Sequence, residues 1–466
     1  MTVLMALRDL SWYHTLGLLL VGLVSAAAVR TVRRVYLHPL SKFPGPWYAA
    51  ATSLTSAFVS WRRVESEWLL GLTKKYGTDT PIRITPSMLL FPRPSALKDI
   101  YWDPACNFKP ESLYETGVLG PPQLFTTRDG EAHRRLRKAL GGTQWSIGYL
   151  KKNWESRIDD QVRLFVDKMT EFAERKEAVM LCDKVAEFAA DIMTMVSFTE
   201  PWGFVKNSRD ERGLLAEWRS GLDFFGVAGR WQTFRRHLPR RPLRVRRPPR
   251  PLEKRAHITL LIQAGADTTA TALGCTLRYL LATDGGRVLA QARAELDRAE
   301  YEGKLSDPIA YEEARRHLPY LGACIKEALR LAPPATNLFA RLTPSGRNPK
   351  AKLIDGVLVP PGTEVTTISY VVHRDPELYA PDPETYRPER WLEAGDKKAG
   401  EMEAAQFGFG AGPRQCLGKE IANMELWKVV PQVVRRFDME MLAAGEYVVA
   451  GGVAYNQGFK VRLTRR

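Results

Sequence analysis

Apolar residues recur along most of this chain at the three-to-four-residue spacing of amphipathic helices, and alternating apolar and polar runs are short and few. Helices are predicted over 53–76, 128–140, 149–174, 178–199, 209–225 and 252–282. Strands are predicted over 82–85, 88–91 and 335–342, and a terminal hairpin over 451–466. The pattern therefore predicts a mainly α fold with small β-sheets.

The N-terminal region is a separate feature, because residues 10–29 are largely apolar and carry no formal charge. Twenty such residues can span a bilayer as a helix. Arg30, Arg33 and Arg34 follow, which predicts that the rest of the chain is cytoplasmic. A cleaved signal peptide is the alternative, with small residues at 25–28. The predicted organisation is a tail over 1–9, an anchor over 10–29, a basic, proline-rich hinge over 30–50 and a globular domain over 51–466.

Composition narrows the possible classes of protein. Hydrophobic residues make up 45% of the 466 residues, which indicates a globular chain with a large core. The five cysteines are scattered and include no CxxC pair, so neither a disulfide framework nor a zinc site is implied. The net charge of +16 is concentrated in the Arg/Pro-rich run 235–255, which we interpret as a loop or linker. No nucleic-acid motif accompanies this charge, so nucleic acid is not a predicted partner.

A glycine-rich stretch ending in a cysteine, FGFGAGPRQCLGKEIA over 407–422, has the strongest chemical signal. Cys416 precedes a predicted helix, whose N-terminus and neighbouring cations favour a thiolate that can bind a metal. The glycines permit positive φ and close approach of a flat ring. A buried structural cysteine is the alternative. A dinucleotide-binding loop is excluded, because Pro413 stands where its third glycine is needed.

The same stretch carries a family resemblance. Its matching residues fit Phe-x-x-Gly-x-Arg-x-Cys-x-Gly and are Phe409, Gly412, Arg414, Cys416 and Gly418. This motif resembles the haem-ligand loop of the cytochrome P450 family. The resemblance implies that Cys416 is the axial ligand of a haem b iron and that Arg414 binds a haem propionate.

The long helix predicted over 252–282 contains residues that are poor helix formers, AGADTT over 264–269. A threonine at Thr268 can bond back to the carbonyl four residues earlier and leave a pocket in the helix. A packing groove with a surface acid would explain the same residues. The stretch is similar to the family's oxygen-binding helix, which implies that Thr268 orients dioxygen and a water while Asp267 relays protons.

Two further segments resemble haem-supporting parts of the family. His133 and Arg137 lie four residues apart on one helix face, which by itself would be a solvated basic face. The resemblance makes them, with Arg341, candidate propionate ligands. Glu327 and Arg330 fit the family's Glu-x-x-Arg signature, and the resemblance joins them to Arg390 in a triad that supports the haem loop.

One histidine motif invites a different interpretation. His373-Arg374-Asp375 resembles a kinase catalytic loop, but Ala380 stands where that loop requires an asparagine. His373 is therefore predicted to be a hydrogen-bonded loop histidine.

The resemblance implies a membrane-bound, fungal-type haem-thiolate monooxygenase with a cytochrome P450-like fold, such as often acts in secondary metabolism. An enzyme of this kind is expected to insert one oxygen atom from O2 into an apolar small molecule. No flavin or nicotinamide motif occurs, so electrons are expected from a separate NADPH-dependent reductase docking near Arg414 and Lys419. The predicted location is the endoplasmic reticulum membrane, with lipid as a partner.

The chain departs from the family at 235–255, where relatives usually have several dozen more residues that roof the substrate pocket. The run is either a natural abbreviation or a truncated or misread segment, and in the second case the chain would be an impaired haem protein. A haem-thiolate isomerase or dehydratase that uses no external oxygen also stays open, although the intact Asp267-Thr268 pair argues against it. The side chains expected to face the pocket are Phe108, Leu124, Thr336, Asn337 and Phe339.

Overall fold

The computed structural model describes residues 12–114, 123–231, 250–346 and 349–466. Helices dominate and the strands are short, which confirms the predicted fold class. In chain order the α-helices are α1 Trp12–Tyr36, α2 Trp47–Ala51, α3 Leu54–Trp61, α4 Glu65–Tyr76, α5 Glu111–Tyr114, α6 Gly130–Ala139, α7 Ile147–Asn153, α8 Glu155–Glu174, α9 Leu181–Phe198, α10 Phe204–Asn207, α11 Leu214–Arg230, α12 Arg250–Ala282, α13 Arg287–Tyr301, α14 Tyr311–His317, α15 Pro319–Leu331, α16 Ser369–Val372, α17 Arg390–Glu393, α18 Asp396–Ala405 and α19 Lys419–Arg436.

The described strands form small sheets around this helical body. The strands are β1 Ile82–Arg83, β2 Met88–Leu90, β3 Ala178–Met180, β4 Arg341–Leu342, β5 Lys352–Ile354, β6 Val357–Val359, β7 Glu364–Thr366, β8 Phe437–Ala443, β9 Glu446–Ala450, β10 Val453–Gln457 and β11 Lys460–Arg465. One sheet has the order β1-β2-β7-β4, with β2 and β7 parallel, and another has the order β3-β11-β8. The pairs β9-β10 and β5-β6 complete the set.

The core is built around α12, whose alanines and leucines are buried among α8, α9, α13, α15 and α19. Small residues allow the close packing of α9 on α12. A Cβ added at Gly265 would lie 2.4 Å from the Met193 sulfur, so no larger residue fits there without a shift. The helix that carries Thr268 is thus held at the centre of the domain.

The N-terminal helix α1 is long and apolar enough to cross a membrane, and its candidate span has no residue buried by the rest of the protein. It runs through the arginines to Tyr36, so the helix continues beyond residue 29, where the predicted membrane span ends, and into the predicted hinge. The reason is local: arginine is a good helix former, and nothing interrupts the helix before the proline-rich segment. That segment, residues 37–46, is non-helical as predicted.

Several predicted boundaries are wrong. The helix predicted over 53–76 is broken between α3 and α4, where Arg63 has φ +60°. Trp154 separates α7 from α8, and residues 178–180 form β3 instead of starting a helix. The predicted terminal hairpin is also wrong, because β10 pairs with β9 while β11 pairs with β8 and β3.

The Arg/Pro-rich run lies mostly outside the described residues, which exclude 232–249. Its last part does not form the predicted loop, since α12 begins at Arg250. Proline is tolerated in the first turn of a helix, which explains why Pro251 does not prevent this start.

Candidate functional site

A cavity of about 320 Å³ lies inside the domain, between α6, α11, α12 and the glycine-rich loop 407–418. Apolar side chains make up much of its lining. Most of the predicted site residues reach it, although they are separated by up to 285 positions in the chain. The predicted site residues in the lining are His133, Arg137, Thr268, Arg341, Phe409, Arg414, Cys416 and Gly418.

The glycine-rich loop is held by its own backbone. The Cys416 amide donates to the Phe409 carbonyl at 2.8 Å, and the Gly410 amide donates to the Phe407 carbonyl at 2.7 Å. Gly412 has φ +69°, and a Cβ there would lie 2.0 Å from the Tyr101 carbonyl oxygen. Gly412 therefore has the positive φ expected of this loop and permits close packing against the protein backbone, and it is not among the described residues that line the cavity.

Cys416 lies just before α19, which begins at Lys419 with Gly418 as its N-cap. Its side chain is exposed and lines the cavity. The protein packed around the sulfur raises the pKa of the thiol, although the Gly418 amide, Arg137 and Lys419 act in the opposite direction.

Helix α6 presents a basic face to the same loop. The Asp129 side chain accepts from the Ala132 amide at 2.7 Å and so caps the start of the helix. Arg137 donates to the Gln415 carbonyl at 2.6 Å and so joins α6 to the residue before Cys416. His133 is buried, and burial together with nearby cations lowers its pKa to about 3. His133 is therefore neutral at physiological pH.

On α12, Thr268 and Asp267 face different surroundings. The Thr268 hydroxyl donates to the Ala264 carbonyl at 2.6 Å, which confirms the predicted back-bond, and it lines the cavity. Asp267 is fully buried outside that lining and accepts from Arg219 of α11 at 2.7 Å. Its Oδ2 atom has no hydrogen-bond partner. The adjacent residues thus occupy separate environments, joined only through the helix.

The triad of Glu327, Arg330 and Arg390 forms as predicted and is buried. Glu327 accepts from Arg330 at 2.8 Å and from Arg390 at 2.9 Å. The Trp391 indole donates to the same carboxylate at 2.9 Å. Burial alone would raise the pKa of Glu327, but the bonds and charges of both arginines outweigh burial and lower it.

Known proteins are similar in sequence to this chain over most of its length. A family model described as cytochrome P450 matches residues 249–447. The cytochrome P450 monooxygenase gsfF of Penicillium aethiopicum is 29% identical, over 92% of this chain and 94% of that protein. Pisatin demethylase of Fusarium vanettenii is 25% identical, over 93% and 90%. The cytochrome P450 monooxygenase hepC of Aspergillus oryzae is 29% identical, over 91% and 92%.

The chain belongs to the cytochrome P450 family. It is accordingly an oxidoreductase of the monooxygenase type, and its cofactor is haem b bound through a cysteine thiolate. The alignment with gsfF extends over 489 positions, which is more than the 92% of this chain's 466 residues that it includes. The additional positions are residues of gsfF that have no counterpart in this P450.

The charges around the cavity fit a haem. Lys109, Arg137, Arg341 and Arg414 all line it, and none of the lining residues that the structure describes is aspartate or glutamate. Lys109 and Arg341 are buried, and Arg137 and Arg414 are partly buried. Because buried cations without an anion are unfavourable, this set favours a bound group with negative charge, which the two propionates of a haem would supply. The cavity of this P450 also exposes the Cys416 sulfur that a haem iron needs.

Arg341 and Arg414 differ in how much of their hydrogen-bonding capacity the protein uses. Arg414 donates to Asn107 at 2.6 Å and to the carbonyls of Thr127 and Arg128, each at 2.7 Å. Its guanidinium therefore ties the loop to the segment before α6. Arg341 donates through Nη1 alone, to the carbonyls of Phe339 and Ala340.

The walls of the pocket come partly from predicted residues. Leu124, Asn337 and Phe339 line it as predicted, but Phe108 and Thr336 do not. Thr336 is buried, with its hydroxyl accepting from Ser66 at 3.0 Å, and Phe108 lies under the Arg128 guanidinium at the surface. Sequence reasoning missed several wall residues, including two from α11, because only the fold brings them here. They are Met193, Trp218, Phe225, Leu261 and Val453.

Sequence reasoning also missed how the buried triad reaches the cysteine loop. Arg330 donates to the His373 carbonyl at 2.7 Å. The His373 ring then accepts from the Phe407 amide through Nε2 at 3.1 Å, and its Nδ1 lies 3.2 Å from the Arg330 carbonyl. Since an amide can only donate and a carbonyl only accept, the proton must sit on Nδ1. The buried ring thus connects the triad with the first residue of the loop.

This arrangement predicts a pH dependence. Burial, reinforced by the charge of Arg330, lowers the pKa of His373 from 6.5 to about 3. Below pH 6.5 the unfolded chain therefore binds a proton that the folded chain does not, so stability is lost as pH falls. We expect proton uptake by His373 in the unfolded chain to lower the free energy of unfolding by about 2 kcal/mol as the pH falls from 6.5 to 5.

The measurement is urea unfolding of wild type and His373→Gln in detergent at both pH values. The variant lacks this titration, so its free energy of unfolding should fall by about 2 kcal/mol less than that of the wild type. Equal pH dependence in the two proteins would contradict the neutral, bridging role of His373.

Proposed function

We propose that this P450 inserts one oxygen atom from O2 into an apolar small molecule, with electrons from a separate NADPH-dependent reductase. The observation that carries the proposal is one cavity that contains the Cys416 sulfur, the Thr268 hydroxyl and mostly apolar walls. A substrate class in secondary metabolism is proposed by analogy with fungal relatives.

The proposed residue roles follow from position. Cys416 would bind the haem iron through its thiolate, and Phe409, Gly412 and Gly418 would shape its loop. His133, Arg137, Arg341 and Arg414 would hold the propionates. The buried triad of Glu327, Arg330 and Arg390 supports the loop from behind. The bound haem supplies oxygen activation, to which a thiolate ligand contributes by pushing electron density that favours O–O cleavage.

Thr268 is proposed to hold and pass a proton. Its hydroxyl hydrogen is used by the Ala264 carbonyl, so toward the cavity the oxygen presents lone pairs. It can therefore accept a hydrogen bond from a water in the cavity and hold that proton in place. Asp267 is proposed to relay protons, for which its Oδ2 is unpartnered while Oδ1 is paired with Arg219.

Replacing Thr268 by alanine should uncouple reductant use from product formation. Without the hydroxyl, proton delivery loses its positioned acceptor, and product formed per NADPH should fall by roughly tenfold or more. Product and NADPH consumption are measured together in the reconstituted system.

Thr276→Ala is the matched control for this variant. Thr276 makes the same back-bond, to the Ala272 carbonyl at 2.7 Å, but it is buried away from the cavity. Coupling should be unchanged in Thr276→Ala. Unchanged coupling in Thr268→Ala would refute the proton role.

Electron delivery is proposed to occur at the loop side of the domain. Arg414 points inward to Asn107 and so adds little surface charge. Positive charge near the loop instead comes from Lys419 and from exposed residues of α6, Arg134, Arg135 and Lys138. Such a patch suits an acidic reductase surface.

Helix α1 is proposed as a single membrane span in the endoplasmic reticulum, with the catalytic domain over 51–466 in the cytoplasm. Arg30, Arg33 and Arg34 at its end favour this orientation. Arg34 also donates to the Ala51 carbonyl at 2.8 Å, so the end of the span contacts the domain.

The proposal is tested by reconstituting the protein with an NADPH-dependent P450 reductase and isotopically labelled O2. Apolar candidate substrates should yield products that carry one labelled oxygen. Products rearranged or dehydrated without label and without NADPH would instead support a haem-thiolate isomerase or dehydratase. Haem loading without any turnover would support an impaired protein.

A further inference from the structure

One corner of the cavity holds polar groups that the protein itself leaves largely unused. Lys109 and Tyr114 line this corner, and both are buried, with 4% and 3% of their surface exposed. Neither residue belongs to the motifs that the sequence indicated.

The Lys109 ammonium has unusual surroundings for a lysine. It contacts the carbonyl of Phe125 and lies over two rings, 4.2 Å from the Tyr114 centroid and 4.7 Å from the Phe125 centroid. Burial, together with the charges of Arg341 and Arg414, lowers its pKa well below the usual value. An ammonium has three N–H donors, and the contact with the Phe125 carbonyl uses one of them, which leaves two for a ligand.

Tyr114 adds a second unused donor. Its buried hydroxyl donates to no acceptor, although buried polar groups are nearly always bonded. The Arg341 guanidinium lies close enough to donate to the phenol oxygen, which leaves the O–H hydrogen for a ligand. The tyrosine ring packs against Phe125 at 5.5 Å, which holds the side chain in place. Arg341 lies beside it and has donors beyond the two carbonyl contacts of Nη1.

The group that this corner would bind must be an anion with several acceptor atoms. Arg341 and Arg414 bring two cationic side chains beside the Lys109 amine, whose protonated form a bound anion would restore, and no acidic residue that the structure describes lines the cavity. A carboxylate has two oxygens and about four acceptor sites, which match an ammonium and a phenol hydroxyl. An apolar ligand would leave these donors unsatisfied.

We propose that Lys109 and Tyr114 together bind a carboxylate in this corner of the cavity. The carboxylate is either a haem propionate or the acid group of a substrate. The inference rests on the proposed function, since both sources require a haem-loaded cavity.

The test uses the haem-loaded full chain and the variants Lys109→Met, Lys109→Arg and Tyr114→Phe. Lys326→Met is the matched control, because Lys326 also lies over an aromatic ring, 5.6 Å from the Trp391 centroid, but is exposed and outside the cavity. The first measurement is the rate of haem transfer to excess apomyoglobin. The second is the spectral dissociation constant for dodecanoate and for methyl dodecanoate.

If the carboxylate is a propionate, Lys109→Met should release haem on the order of tenfold faster, Tyr114→Phe several-fold faster, and Lys109→Arg near the wild-type rate. The preference for acid over ester should then not change. If the carboxylate belongs to a substrate, haem release should stay constant. The preference for dodecanoate over its ester should instead fall on the order of tenfold in Lys109→Met.

Haem release and acid preference that both stay at the wild-type values in Lys109→Met and Tyr114→Phe would overturn the inference. Tyr114→Phe removes a single hydroxyl, so it remains informative if Lys109→Met does not fold. A wild-type protein that loads no haem would instead refute the proposed function. The two failures are thus distinguishable.

Discussion

Serine at position 416 is expected to remove the thiolate-type Soret band of the reduced carbon monoxide complex and to abolish turnover. The hydroxyl is a much weaker ligand for iron than a thiolate, and no other cysteine is placed to replace Cys416. The remaining four, Cys106, Cys182, Cys275 and Cys324, are buried away from the cavity lining. Loss of a residue that only hydrogen-bonds to a metal ligand typically lowers metal affinity or activity by about 10–100-fold. Loss of the ligand itself should therefore reduce turnover by more than about a hundredfold.

Cys182→Ser is the matched control for the ligand variant. Cys182 lies 3.9 Å from the Asp183 carboxylate, so a serine hydroxyl gains an acceptor there. This variant should keep the wild-type spectrum and activity. A thiolate-type band that persists in Cys416→Ser would show that another residue binds the iron.

Glutamine at position 327 is expected to destabilise the folded protein by about 3–5 kcal/mol, because it leaves two buried arginines without their counter-charge. The Glu327 carboxylate accepts bonds from Arg330, Arg390, Trp391 and the Arg387 amide. The amide of a glutamine supplies one acceptor oxygen and no charge. The loss of stability should appear as a lower midpoint of urea unfolding, and the loss of support for the cysteine loop should appear as a lower haem content.

Glu312→Gln provides the comparison. Glu312 forms an exposed ion pair with Lys151 at 2.9 Å, and such pairs contribute about 0–1 kcal/mol. Its unfolding midpoint should therefore remain near the wild-type value. A Glu327→Gln protein as stable as Glu312→Gln would contradict a supporting role for the triad.

The triad also explains how support reaches the cysteine loop without direct contact. Arg330 holds the His373 backbone, and the His373 ring accepts from the Phe407 amide. Because the ring is buried and bonded on both nitrogens, it fixes the position of the loop relative to α15. Disturbing Glu327 should thus affect haem binding as well as stability.

Short-range features of the site were predictable because neighbours along the chain determine them. The Asp129 cap, the Thr268 back-bond and the pairing of Glu327 with Arg330 each join residues three or four positions apart. At that spacing helix geometry alone places the groups in contact. The family resemblance also predicted the contact of Arg390 with Glu327, which lies 63 positions away in the chain.

Long-range partners were not predictable in this way. The pairing of β11 with β8 and β3, instead of with its neighbour β10, depends on which edges the packed helices leave free. Arg219 reaches Asp267 only because α11 packs beside α12. Neither relation has a signature in spacing or composition.

The sequence by itself determined the helical fold class and the cysteine loop with its flanking arginine, because these depend on local hydrogen bonding and on residue chemistry. The residues expected around a haem came from the family resemblance. Only the tertiary structure decided that Asp267 faces away from Thr268, that His373 connects the triad to the loop, and that Lys109 and Tyr114 leave donors free in the cavity. Those facts depend on which distant surfaces meet, because burial and like-charge proximity arise only when the chain is packed.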